Sequence, residues 1–185
     1  ILLLVGSVGA GKSTFVDYLR DSGVLADIQA QTAWVRIDLN PAPVTPAEIY
    51  PWLRKHIAEG IRQTSPDIDS LALEDLKQVY RVQIRDFEKG EVSLFAKTSP
   101  EYLARLADLL TSLKKDEVAT IQGLEQDVCT GRGRLLIIVL DNCDKRDRDE
   151  QLLMFQVAKY LQQEVRCLVI LPLRYETFEN HRHEP

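Results

Sequence analysis

Cysteine is scarce in this chain, with three in 185 residues, and methionine scarcer, with one. Cys129, Cys143 and Cys167 stand far apart, form no C-x-x-C pair and have no histidine at metal-ligand spacing. That pattern argues against a zinc module or a disulfide framework and reads as buried free thiols in a reducing compartment. Long hydrophobic runs are missing too, since nothing approaches the roughly 18 apolar residues of a membrane span. The opening run Ile1–Val5 passes into glycine rather than a cleavage site, so a cytoplasmic protein away from the membrane is expected. Positive charge is in deficit: 23 Lys and Arg stand against 28 Asp and Glu, a net charge of −5 with a pI near 5.3. Such a balance argues against nucleic acid or an anionic membrane as the main partner. The sequence has no internal repeat and no low-complexity tract.

What is present is a chain 45% hydrophobic and 28% charged, long enough to bury one core, and a single domain over 1–185 is expected. It opens without methionine inside an apolar run and closes on His183-Glu184-Pro185 with no helix or strand signal to finish the fold. The expectation is a piece of a larger, multidomain chain. Ile1–Val5 reads as a strand buried on both faces of a parallel sheet. Lys12–Asp21 reads as a helix stopped near Gly23, and Ala33–Leu39 alternates like a second strand. Thr45-Pro46-Ala47-Glu48 has the spacing of a capping box with proline first in the helix, predicting a helix from Pro46 to about Gln63, kinked or interrupted at Pro51. Leu73, Leu76, Tyr80 and Phe87 recur at helical steps, and Ser99-Pro100 opens a helix with Leu103, Leu106, Leu110 and Leu113 on one face. A further helix covers Glu117–Val128.

Leu135–Leu140 is the strongest strand signal in the chain. A helix fits Asp149–Gln163 with Leu153, Val157 and Leu161 inward, and the last strand is Cys167–Leu173, ending at Arg174. Alternating strands and helices imply an α/β fold with a mostly parallel sheet. Roughly ninety residues of helix, about 44–130, intervene between the second strand and the next, where a crossover needs about a dozen. This stretch reads as a helical insertion, an interaction or lid element.

Gly6-Ser7-Val8-Gly9-Ala10-Gly11-Lys12-Ser13 fits G-x-x-x-x-G-K-[ST] between a strand and the start of a helix, the context a P-loop (Walker A) needs. Its glycines let the backbone curl so that successive N–H groups face phosphate oxygens, and the helix N-terminus adds partial positive charge. Lys12 is expected to reach the β- and γ-phosphates and the Ser13 hydroxyl to ligate Mg²⁺. Thr14 contacts the α-phosphate by resemblance to other P-loop proteins. The expected ligand is ATP with Mg²⁺, because Asn142-Cys143-Asp144-Lys145 lacks the order of the base-selecting N-K-x-D motif of GTPases. Asp141 follows six apolar residues at the end of its strand, where the metal-holding Walker B acid belongs.

Asp144 suits a general base that activates or orients water, or else a helix cap or solvated acid beside the charged run Lys145–Glu150. Arg174 suits a γ-phosphate sensor with its planar, permanently charged fork, or else a surface arginine beside Glu176. Arg132 and Arg134, flanking Gly133, read as turn and solubility residues sooner than as a finger for a neighbouring subunit. His181-Arg182-His183 lacks a cysteine or carboxylate at the spacing of a metal site.

At Leu136–Asp144 and Leu168–Arg174 the chain resembles the STAND and KAP groups of P-loop ATPases, which carry hydrophobic-D-x-x-D Walker B segments and an arginine closing the next strand. The resemblance covers the P-loop, the Walker B segment and the arginine, not the helical stretch between them. Asn142 stands where those groups often have a second acid or a glycine. The resemblance implies a three-layer P-loop NTPase of the additional-strand (AAA-like) type, with the Arg174 strand between those of the P-loop and Asp141. It also implies a slow regulatory ATPase that switches between a closed monomer and an assembled homo-oligomer, in contact with other domains of its own chain. In bacteria such proteins are frequently antiviral. The fifth strand and winged-helix segment of the STAND pattern are absent from this sequence.

Two other functions compete. A small-molecule or nucleotide kinase would carry much the same P-loop, although the sequence offers no arginine-rich lid or acceptor cluster. A scaffold that binds nucleotide without hydrolysing it would suit Asp144 as a mere cap.

Overall fold

The apolar segments assemble into one parallel sheet in the computed structural model of the chain, which describes residues 1–21, 29–65 and 72–182. The strands are β1 (Leu2–Gly6), β2 (Thr32–Asp38), β3 (Leu135–Asp141) and β4 (Cys167–Arg174). Their order is β1-β4-β3-β2, every pair parallel. The strand ending in Arg174 thus lies between those ending in Gly6 and Asp141, the place the resemblance implied. Register sets Gly6 beside Arg174 and Asp38 beside Asp141. All four strand ends therefore line one rim, and the C-terminal rim of an open parallel sheet is where such folds bind ligands.

Period-two alternation sorts the strand residues onto two faces. Val35, Ile37, Leu136, Ile138, Leu140, Val169 and Leu171 belong to the main core. Against them pack α2 (Pro46–Thr64), α6 (Glu117–Gln126) and α7 (Arg148–Glu164) through buried residues such as Leu53, Ile57, Ile61, Leu124, Met154, Val157 and Leu161. The helices α3 (Leu73–Val79), α4 (Arg81–Glu88) and α5 (Pro100–Lys115) complete this side of the fold. Each fully buried Leu or Ile stabilises by roughly 1.5–3 kcal/mol, so most of the stability resides here. The opposite face holds a smaller cluster in which Val16 of α1 (Lys12–Asp21) meets Ile137, Val139 and Ile170. At Gly123 of α6 a methyl group would lie 2.5 Å from the Val79 carbonyl oxygen, which is why no side chain is tolerated where α6 crosses the end of α3.

Several expectations need correction. β1 is not buried on both faces: it is an edge strand, and Ile1, Leu2, Leu3 and Val5 are 36–49% exposed. Pro51 does not interrupt α2, which runs unbroken for 19 residues. Thr45 caps α2 with no side-chain bond to the backbone; its hydroxyl instead donates to Glu48 Oε2 at 2.7 Å. The helix expected through Leu73 and Phe87 breaks at Tyr80 into α3 and α4. Tyr80 is buried there, its hydroxyl 2.9 Å from that of Thr120. On α5 the inward residues are Tyr102, Leu106 and Leu110, while Leu103 is exposed. The helix expected to reach Val128 is regular to Gln126 and then widens into a π turn over Asp127–Gly131. A last helix, α8 (Tyr175–His181), follows β4 where none was expected. The expected stop near Gly23 lies outside the described residues, as do His183 to Pro185. Among the described residues no helix is long and apolar enough to cross a membrane.

Candidate functional site

Between β1 and α1 the chain turns through Gly9 (φ 75°) and Gly11 (φ 76°). A methyl group at either would meet nothing within 4 Å, so the demand for glycine comes from the left-handed backbone and not from crowding. The turn closes with Ala10 N–H donating to the Ser7 carbonyl at 3.2 Å, and Phe15 N–H donating to Gly11 at 2.7 Å begins the helix. No acidic residue lies in the first turn of α1, which leaves the positive end of the helix dipole uncompensated at the rim. Lys12 arches back over the loop, its Nζ donating to the carbonyls of Gly6 (3.0 Å) and Ser7 (2.9 Å). Val8 and Thr14 are exposed.

Ser13 and Asp141 come together across the rim, the Ser13 hydroxyl donating to Asp141 Oδ2 at 3.4 Å. Only 8% of the Asp141 side chain is exposed, and its Oδ1 accepts the Asn142 backbone N–H at 2.9 Å. Hydroxyl and carboxylate are the hard oxygen donors a Mg²⁺ ion takes, and among the described residues no group of three or more His, Cys, Asp or Glu offers a fuller cage. The donor set fits a cation that draws its remaining oxygens from water and phosphate.

Sequence reasoning missed the residue that sits on this carboxylate. Arg36 of β2 directs Nη2 and Nε to Asp141 Oδ2, the Nε at 3.2 Å, and Nη1 to Asp17 Oδ1 at 2.7 Å. Burial works to lower the Arg36 pKa, but the bonds to Asp141 and Asp17 outweigh it and raise the pKa above its ordinary value. The signal was available in retrospect: Trp34, Arg36 and Asp38 share one phase of the β2 alternation, and Asp17 follows Ser13 by one helical turn.

Asn142 sits at φ 64°, a region asparagine tolerates and most residues avoid. Its side-chain amide donates to Asp38 Oδ1 at 2.8 Å, joined by the Asn40 N–H at 3.0 Å, and the two hold the Asp38 carboxyl below its usual range. Asp144, in the short 3₁₀ turn Cys143–Lys145, is 10% exposed and pairs with Arg174, Nε to Oδ2 at 3.1 Å. Asp144 is therefore not a helix cap, a role Asp147 takes by accepting the Glu150 N–H at 2.9 Å. Beneath them, burial, followed by the charges of Asp144 and Asp141, pushes the Cys143 thiol up to about 12, so it stays protonated and is no nucleophile at neutral pH.

The charged run Lys145–Glu150 is not wholly solvated. Arg146, 7% exposed at its side chain, donates through Nε to the Leu39 carbonyl at 2.9 Å and pins the loop after β2 to the start of α7. Arg132 is likewise more than a turn residue, since its Nε reaches Asp127 Oδ2 at 2.8 Å. His181 is buried, 2.9 Å from Gln151 Oε1 and edge-on to Phe155, a packing role.

These features define an α/β domain with a glycine turn, a lysine and an acid–hydroxyl pair gathered at the C-terminal rim of a parallel sheet. Compared with protein-family models, with curated proteins and with solved structures, the chain finds no significant match in any of the three.

Proposed function

We propose that this chain is the ATP-binding and hydrolysing switch domain of a larger regulatory protein, of the P-loop type resembling the STAND and KAP groups. The observation that carries the reading is the convergence of the Gly6–Thr14 loop with Asp141, Ser13 Oγ lying 3.4 Å from its Oδ2. Backbone N–H groups of the loop and the Lys12 ammonium bind the phosphates, and Lys12 exchanges two loop carbonyls for phosphate oxygens. Ser13 and Asp141 would hold Mg²⁺, which when bound supplies charge neutralisation for phosphoryl transfer. Asp144 orients the attacking water, and Arg174, now paired with it, senses the terminal phosphate by shifting a permanent charge toward it. The Arg174–Asp144 contact ties the state of that phosphate to α8, and a homo-oligomer or neighbouring domain reads the change.

The same ion pair favours a second reading, a scaffold that binds nucleotide without turnover, in which Asp144 serves only to position Arg174. The test is nucleotide turnover by the full-length protein, wild type against Lys12→Ala and Asp144→Asn, with molecular size measured on the same samples. Lys12→Ala is expected to lose binding by about 100-fold or more. Asp144→Asn is expected to keep binding and lose turnover. Turnover undiminished in Asp144→Asn rules out its catalytic role, and phosphate transfer to a small acceptor moves the protein to the kinases.

A further inference from the structure

The Asp141 carboxylate is almost fully buried, and a buried charge without a partner is costly. Its partner in this structure is Arg36, whose guanidinium occupies Oδ2, the same oxygen that the Ser13 hydroxyl approaches. The guanidinium is not committed to Asp141 alone. Its other arm rests on Asp17 at 2.7 Å, on the helix that begins with the loop, and Asp17 also takes Arg20 at 3.3 Å. Asp17 is 38% exposed, against 8% for Asp141, so Arg36 bridges a dry acid and a wet one.

We infer that Arg36 is a resident counter-ion that stands in for the divalent cation at Asp141 and shifts toward Asp17 when that cation binds. The inference rests on the nucleotide-binding reading above and deepens it by adding a regulator of the metal requirement. Two cations cannot share one buried oxygen without strong repulsion, so Arg36 and the metal compete. In the absence of the cation, the pairing compensates the buried Asp141 charge. It also sets the Mg²⁺ concentration at which nucleotide is gripped. Arg36 is thereby a positioning residue: it acts on the metal through Asp141 and has no role in touching the nucleotide.

The experiment titrates Mg²⁺ against the full-length protein at fixed concentration of a fluorescent, non-hydrolysable ATP analogue, and measures melting of the nucleotide-free protein in chelator. Arg36→Gln is expected to reach half-saturation at about ten-fold lower Mg²⁺, and Asp17→Asn, which removes the resting place, at a few-fold higher. In chelator Arg36→Gln is expected to melt several degrees lower, and the double variant Arg36→Gln/Asp141→Asn to regain most of that loss, because the orphaned charge is gone. An unchanged or higher Mg²⁺ requirement in a folded Arg36→Gln that still binds the analogue overturns the inference alone. A wild type that binds no analogue at any Mg²⁺ concentration overturns it together with the nucleotide-binding reading.

Discussion

The two faces of the sheet are built differently. On one, α2, α6 and α7 seal a continuous apolar layer in which residues such as Leu53, Ile57 and Leu136 are fully buried. On the other, the described residues form a small dry cluster around Val16, and toward the rim it gives way to Ser13, Asp17, Arg36 and Asp141. The first face is a place where volume decides, the second a place where charge decides. Most of the packing energy therefore lies on one face and most of the rim charge on the other, and that division can be tested.

The sharpest break is Gly123→Ala. The added methyl would press on a backbone carbonyl that cannot step aside, so a loss of about 2–4 kcal/mol is expected in denaturant unfolding. On the proposed nucleotide-binding reading, affinity of the protein that remains folded is expected to hold. If affinity falls with it, the insertion communicates with the rim and the two faces are not independent. Ile57→Ala should cost about 3 kcal/mol by the same measurement, while Val16→Ala, in the smaller cluster, should cost about 1 kcal/mol. Equal costs would mean that the charged face is as much a core as the helical one. At the rim, Asn142→Gly is expected to change stability by less than about 1 kcal/mol, whereas Asn142→Val should lose about 2 kcal/mol to backbone strain. The smallest effect is a rate: Cys143, protonated and buried, should resist alkylation at pH 8 in the folded protein and react once it unfolds. Rapid modification without unfolding would mean that the floor of the rim opens.

The sequence made legible whatever depends on local pattern. Strand positions followed apolar runs, and the phase of α7 followed Leu153, Val157 and Leu161, all buried. The glycine turn was legible because positive φ has few residue choices. What stayed hidden depends on partners distant in the chain. Arg36 meets an acid 105 positions away, and no local rule pairs them. Arg146 looked solvated inside a charged run because its partners are carbonyls of the loop after β2. Tyr80 stands where an apparently continuous helix breaks, and its hydroxyl meets that of Thr120, 40 positions on. The burial of β1 was overestimated since an apolar run reports what a strand would like to pack against, not what lies beside it.

That edge strand carries a last consequence. β1 launches the glycine turn, yet among the described residues it is held along one side only, by its ladder to β4. Fraying of the strand and disordering of the loop are therefore one event, and a ligand that grips the loop also fastens the sheet margin. Part of the free energy of any such binding is spent on holding β1 down, so affinity at the rim reports on the integrity of a strand that meets the ligand only at its last residue, Gly6.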